Sequence, residues 1–188
     1  MLASASPRRR DLLGRLGIDP VVRPADVDES RRPGEPPADL VVRLARDKAA
    51  AVDADPADLV VAADTVVTVG TRVLGKPVDR IEARAMLADL SGRDHHVVTG
   101  VAVRHRGIVH ADVETTRVTF RPLDDREIAW YVATGEADDK AGAYGLQGAG
   151  AVLVRELQGS DTNVIGLPLV LTVTLARHLG VDLLVPGA

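Results

Sequence analysis

Leu59-Val60-Val61-Ala62-Ala63-Asp64-Thr65 sets an uninterrupted apolar run against a carboxylate. A short continuous run of this kind is the pattern of a strand covered on both faces. Its expected end at Asp64-Thr65 places an acid where α/β proteins commonly keep functional groups, at the tip of a buried strand. Such an aspartate can hold a divalent cation or serve as general base on water. It can equally cap the turn that leads into a hairpin.

Working outward, residues 66–69 and 72–74 flank Gly70-Thr71 and predict that hairpin. Residues 96–103 and 108–120 flank Arg106-Gly107 and predict a long antiparallel pair, and residues 151–157 predict one more strand. Helices fill the intervals. Ser6 is a good N-cap with Pro7 at the first helical position, Leu12, Leu13 and Leu16 form a stripe, and Gly17 closes the segment. A second helix is expected over 39–52 with Leu40, Leu44 and Val52 inward. A third starts at Asp79-Arg-Ile-Glu82, which reads as a capping box, and ends before Gly92. A fourth runs from Asp124 to Thr134, and the last covers 168–178 ahead of Gly180. Residues 31–37, rich in Pro and Gly, read as an exposed loop. Helices alternating with strands, without a regular βαβ rhythm, predict an α/β chain with a mixed twisted sheet in a single domain spanning 1–188.

Composition narrows the function. Apolar residues make up 46% of the 188, enough for a sizeable core, yet aromatic residues only 2%. The core must therefore be aliphatic, and few rings are left for stacking on bases. With a net charge of −4 the chain is a poor generic binder of nucleic acid or acidic membranes. Any hold on phosphate has to come from a local cationic cluster. The absence of cysteine excludes disulfides and thiolate metal sites. No apolar stretch is long enough to span a bilayer and the start does not read as a signal peptide, so a cytoplasmic protein is expected.

Of 23 basic side chains only Lys48, Lys76 and Lys140 are lysines. Arginine is a rigid planar fork, whereas lysine is a compact charge on a flexible stem that reaches into a crowded oxyanion. Two further segments suit anions. Ser4, Ser6 and the amides opening the first helix, beside Arg8 and Arg9, form a candidate anion site; an ordinary capped helix with solvated arginines is the plainer reading. Asp139-Lys140-Ala-Gly-Ala-Tyr-Gly-Leu-Gln147-Gly148-Ala-Gly150 is dense in small residues that let backbone approach a ligand, and it offers a cation and an amide. It matches neither the P-loop nor the dinucleotide fingerprint. Asp28-Glu29 can supply a second carboxylate or simply be an acidic loop. His95 and His96, adjacent on a strand, face opposite ways and read as sheet residues.

Taken together, Ala3-Ser4-Ala5-Ser6-Pro7-Arg8-Arg9, Asp28-Glu29, Lys48-Ala49, Ala63-Asp64-Thr65, Gly75-Lys76-Pro77, Thr99-Gly100-Val101, the 139–148 loop and Asn163-Val-Ile-Gly-Leu-Pro168 resemble the Maf family. The ordered matches extend over nearly the whole chain. The resemblance implies an α/β fold like that of inosine triphosphate pyrophosphatases, two lobes around a cleft. It also implies hydrolysis of a nucleoside triphosphate to the monophosphate and pyrophosphate, assisted by a divalent metal, Mg2+ or Mn2+. Asp64 matches the family's catalytic acid, with Glu29 as a second metal ligand. Ser4, Ser6, Arg8, Arg9, Lys48, Lys76 and Lys140 are implied to bind substrate. Arg8, Thr65 and Gln147 match positions tied to base choice, and the loop resembles that of the dTTP- and UTP-directed branch. Modified pyrimidine nucleotides and a homodimer are further expectations, with no stable nucleic-acid or membrane partner. The competing reading is a non-catalytic nucleotide-binding regulator of cell division. Only Met1-Leu2 precede Ala3-Ser4, where family members carry several apolar residues, so either a truncated first strand or a misassigned start is expected.

Overall fold

The computed structural model describes residues 1–184. Strand β1, Val60–Val69, runs without a break through the apolar stretch and through Asp64-Thr65. The expected strand end at Asp64 is therefore corrected: the aspartate lies in mid-strand. A buried carboxylate interrupts a strand only if it lacks a partner, and Asp64 has one in Lys48. Strand β2, Arg72–Leu74, pairs antiparallel with β1 through Val69 and Arg72 across the expected turn. Strands β3, Asp94–His105, and β4, Ile108–Phe120, are joined by Arg106-Gly107. Both turn residues have positive φ, at 48° and 78°, the signature of a type I′ hairpin whose twist suits its strands.

The last strand falls later than expected. Residues Ala149–Leu153 curl into a 3₁₀ turn, and β5 occupies Val154–Gln158, paired antiparallel with β4. A methyl built on Gly150 would lie 2.3 Å from the Gly145 carbonyl oxygen. The chain at this point is thus folded tightly back on the preceding loop and cannot extend until 154. Sheet order is β2-β1-β3-β4-β5. Leu2, wholly buried, adds isolated parallel bridges to Val22 and Val61, which gives the otherwise antiparallel sheet its mixed character.

Among the described residues six α-helices accompany the sheet: α1 Pro7–Gly14, α2 Pro37–Ala51, α3 Arg80–Leu90, α4 Asp125–Ala133, α5 Asp161–Ile165 and α6 Leu169–His178. Five follow the sequence expectation closely; α5, a single short turn, carries too little periodicity to be read. Asp124 and Glu127 form a complete capping box on α4. On α3 Asp79 caps the Glu82 amide, but the Glu82 carboxylate reaches back to the amide of Val78, one residue further out.

The chain divides into two compact units. One comprises 1–64, 99–114 and the chain from Gly166 onward; the other comprises 65–98 and 115–165. In the first, Ala3, Ala45, Ala49, Val52, Val60, Ala62 and Ala102 form a core of small side chains. Small residues allow helix and strand to approach closely, and Gly100 shows why. A Cβ there would fall 2.3 Å from both the carbonyl carbon and oxygen of Val41 on α2, so only glycine permits this packing. The second unit is built on larger residues, with Phe120, Tyr131, Tyr144, Leu87, Leu90 and Leu153 at its centre. Nearly all of the chain's few aromatic rings are spent here. The expected 31–37 loop is mostly exposed, as read, but it is clamped: Arg43 Nε lies 2.6 Å from Glu35 Oε1, and the pair drops the Glu35 carboxyl to about 2.

Candidate active site

In the first unit the candidate residues gather around Lys48. Helix α2 turns Leu40, Val41, Leu44, Ala45, Lys48 and Ala49 inward, so Lys48 continues an apolar stripe at helical spacing. A lysine in such a stripe needs a counter-charge. It has two: Nζ lies 2.7 Å from Asp64 Oδ1 and 2.6 Å from Glu29 Oε1. Lys48 and Asp64 are buried, while the Glu29 side chain is 59% exposed. A rigid strand thus supplies one acid, a helix the ammonium, and an exposed segment the other acid.

Beside this trio stands Arg9. Its Nε donates to the Gly166 carbonyl at 2.8 Å and its Nη1 to Ser4 Oγ at 3.0 Å. Burial lowers the Arg9 pKa; the charge of Asp64 opposes that, Arg8 adds to it, and Glu29 opposes it again. The four charged groups therefore share one electrostatic neighbourhood. Ser4 Oγ also accepts from the Ser6 amide at 3.2 Å, so Ser4 shapes the entry to α1. Ser6 is the N-cap residue of α1 with Pro7 opening the helix, as read, but its side chain makes no capping bond.

Glu29 and Asp64, which the resemblance implies as metal ligands, have the donor chemistry that would fit a divalent cation. Their oxygens converge on one point, now held by the Lys48 ammonium, and both are hard donors of the kind Mg2+ and Mn2+ prefer. Such ions are commonly held by one or two carboxylates together with substrate phosphates. No group of three or more acidic or histidine side chains forms a metal cage among the described residues.

The second unit holds Thr65, Lys76, Lys140 and Gln147. The loop carrying Lys76 and the loop carrying Lys140 are tied together by the Gly142 amide, which donates to the Gly75 carbonyl at 3.0 Å. Lys76 and Gln147 are exposed. Lys140 Nζ donates to the Glu136 carbonyl at 2.6 Å and pairs with Asp139 at 2.7 Å. Gly142 and Ala143 take successive positive φ values of 69° and 59°, an unusual conformation for the buried alanine that its surroundings must enforce.

Those surroundings include groups that sequence reasoning missed. The Tyr131 hydroxyl accepts from the Gly145 amide at 3.1 Å, and Glu136 Oε1 accepts from the Ala149 amide at 3.0 Å. Tyr144 is anchored at 2.8 Å to Nε2 of His95, which is wholly buried in contact with Phe120. Tyr131 and Glu136 carry no motif of their own; an acid next to the Lys-Gly-rich run was the one available hint. His95 faces inward and His96 outward, as their adjacency on a strand requires. Asn163 is a brace: its Nδ2 donates to Val97 O and Thr116 Oγ1 at 3.0 and 2.9 Å.

The Maf-like protein family model matches residues 1–179. The chain belongs to the Maf family. It is 54% identical to a dTTP/UTP pyrophosphatase of Anaeromyxobacter dehalogenans (strain 2CP-C), over 97% of this chain and 95% of the relative. It is 51% identical to a protein of the same name from Myxococcus xanthus, covering 97% and 93% of the two chains. A Symbiobacterium thermophilum dTTP/UTP pyrophosphatase is 48% identical over all of this chain and 97% of its own length. Membership accounts for the α/β fold and for the order of motifs along this Maf chain. No helix among the described residues is long and apolar enough to cross a membrane.

Proposed function

We propose that this Maf protein hydrolyses dTTP and UTP, and modified pyrimidine triphosphates of the same shape, to the monophosphate and pyrophosphate. The observation that carries the reading is the Lys48–Asp64–Glu29 cluster beside Arg9, in a chain about half identical over its length to proteins named for this activity. A triphosphate brings about four negative charges near neutral pH, so its hydrolysis is mainly a matter of charge neutralisation and positioning. Arg8, Arg9 and Lys48 are the cations of the first unit for that task, with Ser4 and Ser6 donating hydrogen bonds. Lys76 and Lys140 are the cations of the second unit suited to phosphate. A divalent cation, when bound by Glu29 and Asp64, supplies further neutralisation of the phosphate oxygens.

Asp64 orients a water and accepts its proton as the oxygen attacks the α-phosphorus. The bond from that phosphorus to the α–β bridging oxygen breaks, and pyrophosphate leaves. Arg8, Thr65 and Gln147 select the base. An amide at position 147 can donate and accept along a pyrimidine edge, and loss of a buried polar partner discriminates strongly. A cytoplasmic house-cleaning role accords with this chemistry. A purely regulatory nucleotide binder has no use for a buried acid held beside three cations. The test is pyrophosphate release from a panel of nucleoside triphosphates with Mg2+ or Mn2+. Turnover is expected to be greatest with dTTP and UTP; a chain that binds them without releasing pyrophosphate is a regulator instead.

A further inference from the structure

Both carboxylates assigned to the metal are already engaged by one internal cation. Lys48 Nζ stands within 2.7 Å of an oxygen from each of Asp64 and Glu29. Its ammonium therefore occupies the point on which the two acid oxygens converge. Charges in the neighbourhood add to the obstacle. Arg8 and Arg9 act in the same electrostatic neighbourhood as Asp64 and Glu29, and Lys48 pairs with both acids. A bare divalent ion approaching this cluster meets nearby cations and a bound competitor. A metal already bound to a triphosphate arrives as an anion, is attracted, and offers Lys48 new phosphate oxygens in exchange for its carboxylates.

We propose that Lys48 is a placeholder cation that enforces the order of loading: the cluster excludes free metal and admits it only as the metal–nucleotide complex. The inference rests on the proposed activity for its ligand, and assigns Lys48 a second duty beyond phosphate contact. While the site is empty, the lysine keeps both acids aimed at one point. When the complex enters, the ammonium swings from carboxylate to phosphate, a change its flexible stem allows and a planar arginine would hinder. Glu29 is the exposed acid of the pair, whereas Asp64 is buried in β1.

Metal binding to the nucleotide-free protein tests this directly. Mn2+ alone, followed by its electron paramagnetic resonance signal, is expected to bind Lys48→Met at least roughly tenfold more tightly than wild type, the effect of removing one adjacent charge and a competitor. Equal affinity in the two proteins overturns the proposal. Because Lys48→Met leaves two acids without their partner and can fold poorly, a second measurement uses wild type only. Its thermal midpoint is recorded with Mn2+, with a non-hydrolysable α,β-methylene uridine triphosphate, and with both. The shift with both is expected to exceed the sum of the separate shifts. A full shift with Mn2+ alone overturns the idea. These readouts involve no turnover, so a chain that passes them yet releases no pyrophosphate refutes the activity and leaves the Lys48 assignment standing.

Discussion

Lys48 of α2 and Asp64 of β1 are joined at 2.7 Å inside the first unit, both buried. Sixteen residues apart in sequence, they form a pair that neither the helix nor the strand alone could keep from water. Removing one partner of a buried pair leaves an uncompensated charge, at a cost of about 3–5 kcal/mol.

Asp64→Asn is the informative change at this pair. Asparagine keeps the shape and can still accept from Lys48, but it neither takes a proton nor carries charge. Pyrophosphate release should fall by a factor of roughly 10²–10⁴, the range for a lost general base, with nucleotide binding retained. Release at near wild-type rate would remove Asp64 from the chemistry.

Gln147→Glu exchanges an amide that both donates and accepts for a carboxylate that only accepts. The preference for dTTP and UTP over other triphosphates should be lost in a kcat/KM panel. Because position 147 is exposed, the thermal midpoint should hardly move. An unchanged substrate profile would refute base reading by this side chain.

Gly100→Ala tests the fold rather than the site. The added methyl would lie 2.3 Å from the Val41 backbone, and main chain cannot step aside as a side-chain end can. A loss of at least about 1–3 kcal/mol is expected in denaturant unfolding. Ala substituted without loss would mean that β3 and α2 pack less closely than described.

His95 gives a pH signature. Burial lowers its pKa from 6.5 to about 4; His96 lowers it further, while the Arg93 carbonyl and Asp94 oppose the fall, and the rings of Tyr144 and Phe120 complete its surroundings. The folded state therefore refuses a proton that the unfolded chain accepts. Stability is complete above about pH 6.5 and declines as pH drops towards 4, by an amount on the order of 3 kcal/mol. In His95→Phe the slope of unfolding free energy against pH should flatten over that interval. Parallel slopes for the two proteins would show that His95 is not the group responsible.

Much of this chain was legible because local signals agree. Ser6-Pro7, Asp79-Arg-Ile-Glu82 and Asp124-Asp-Arg-Glu127 mark helix starts through the needs of unpaired amides, and Gly70-Thr71 and Arg106-Gly107 mark hairpins through backbone sterics. What failed were two local readings that a distant partner overrode. Asp64 looked like a strand end because an acid in an apolar strand is costly, and only Lys48 removes that cost. Residues 151–153 looked like strand until the close approach of Gly150 to Gly145 bent them.

Residue order alone determined the element types, the aliphatic core and the family motifs, since these follow from periodicity, capping and turn chemistry within a few residues. Tertiary structure decided which charges meet: that Lys48 spans Asp64 and Glu29, that Arg9 is held by Ser4 and Gly166, and that Tyr131, Glu136 and His95 brace the glycine-rich loop. Electrostatic and hydrogen-bond partners act over a few ångströms of space regardless of separation along the chain, so no local pattern encodes them.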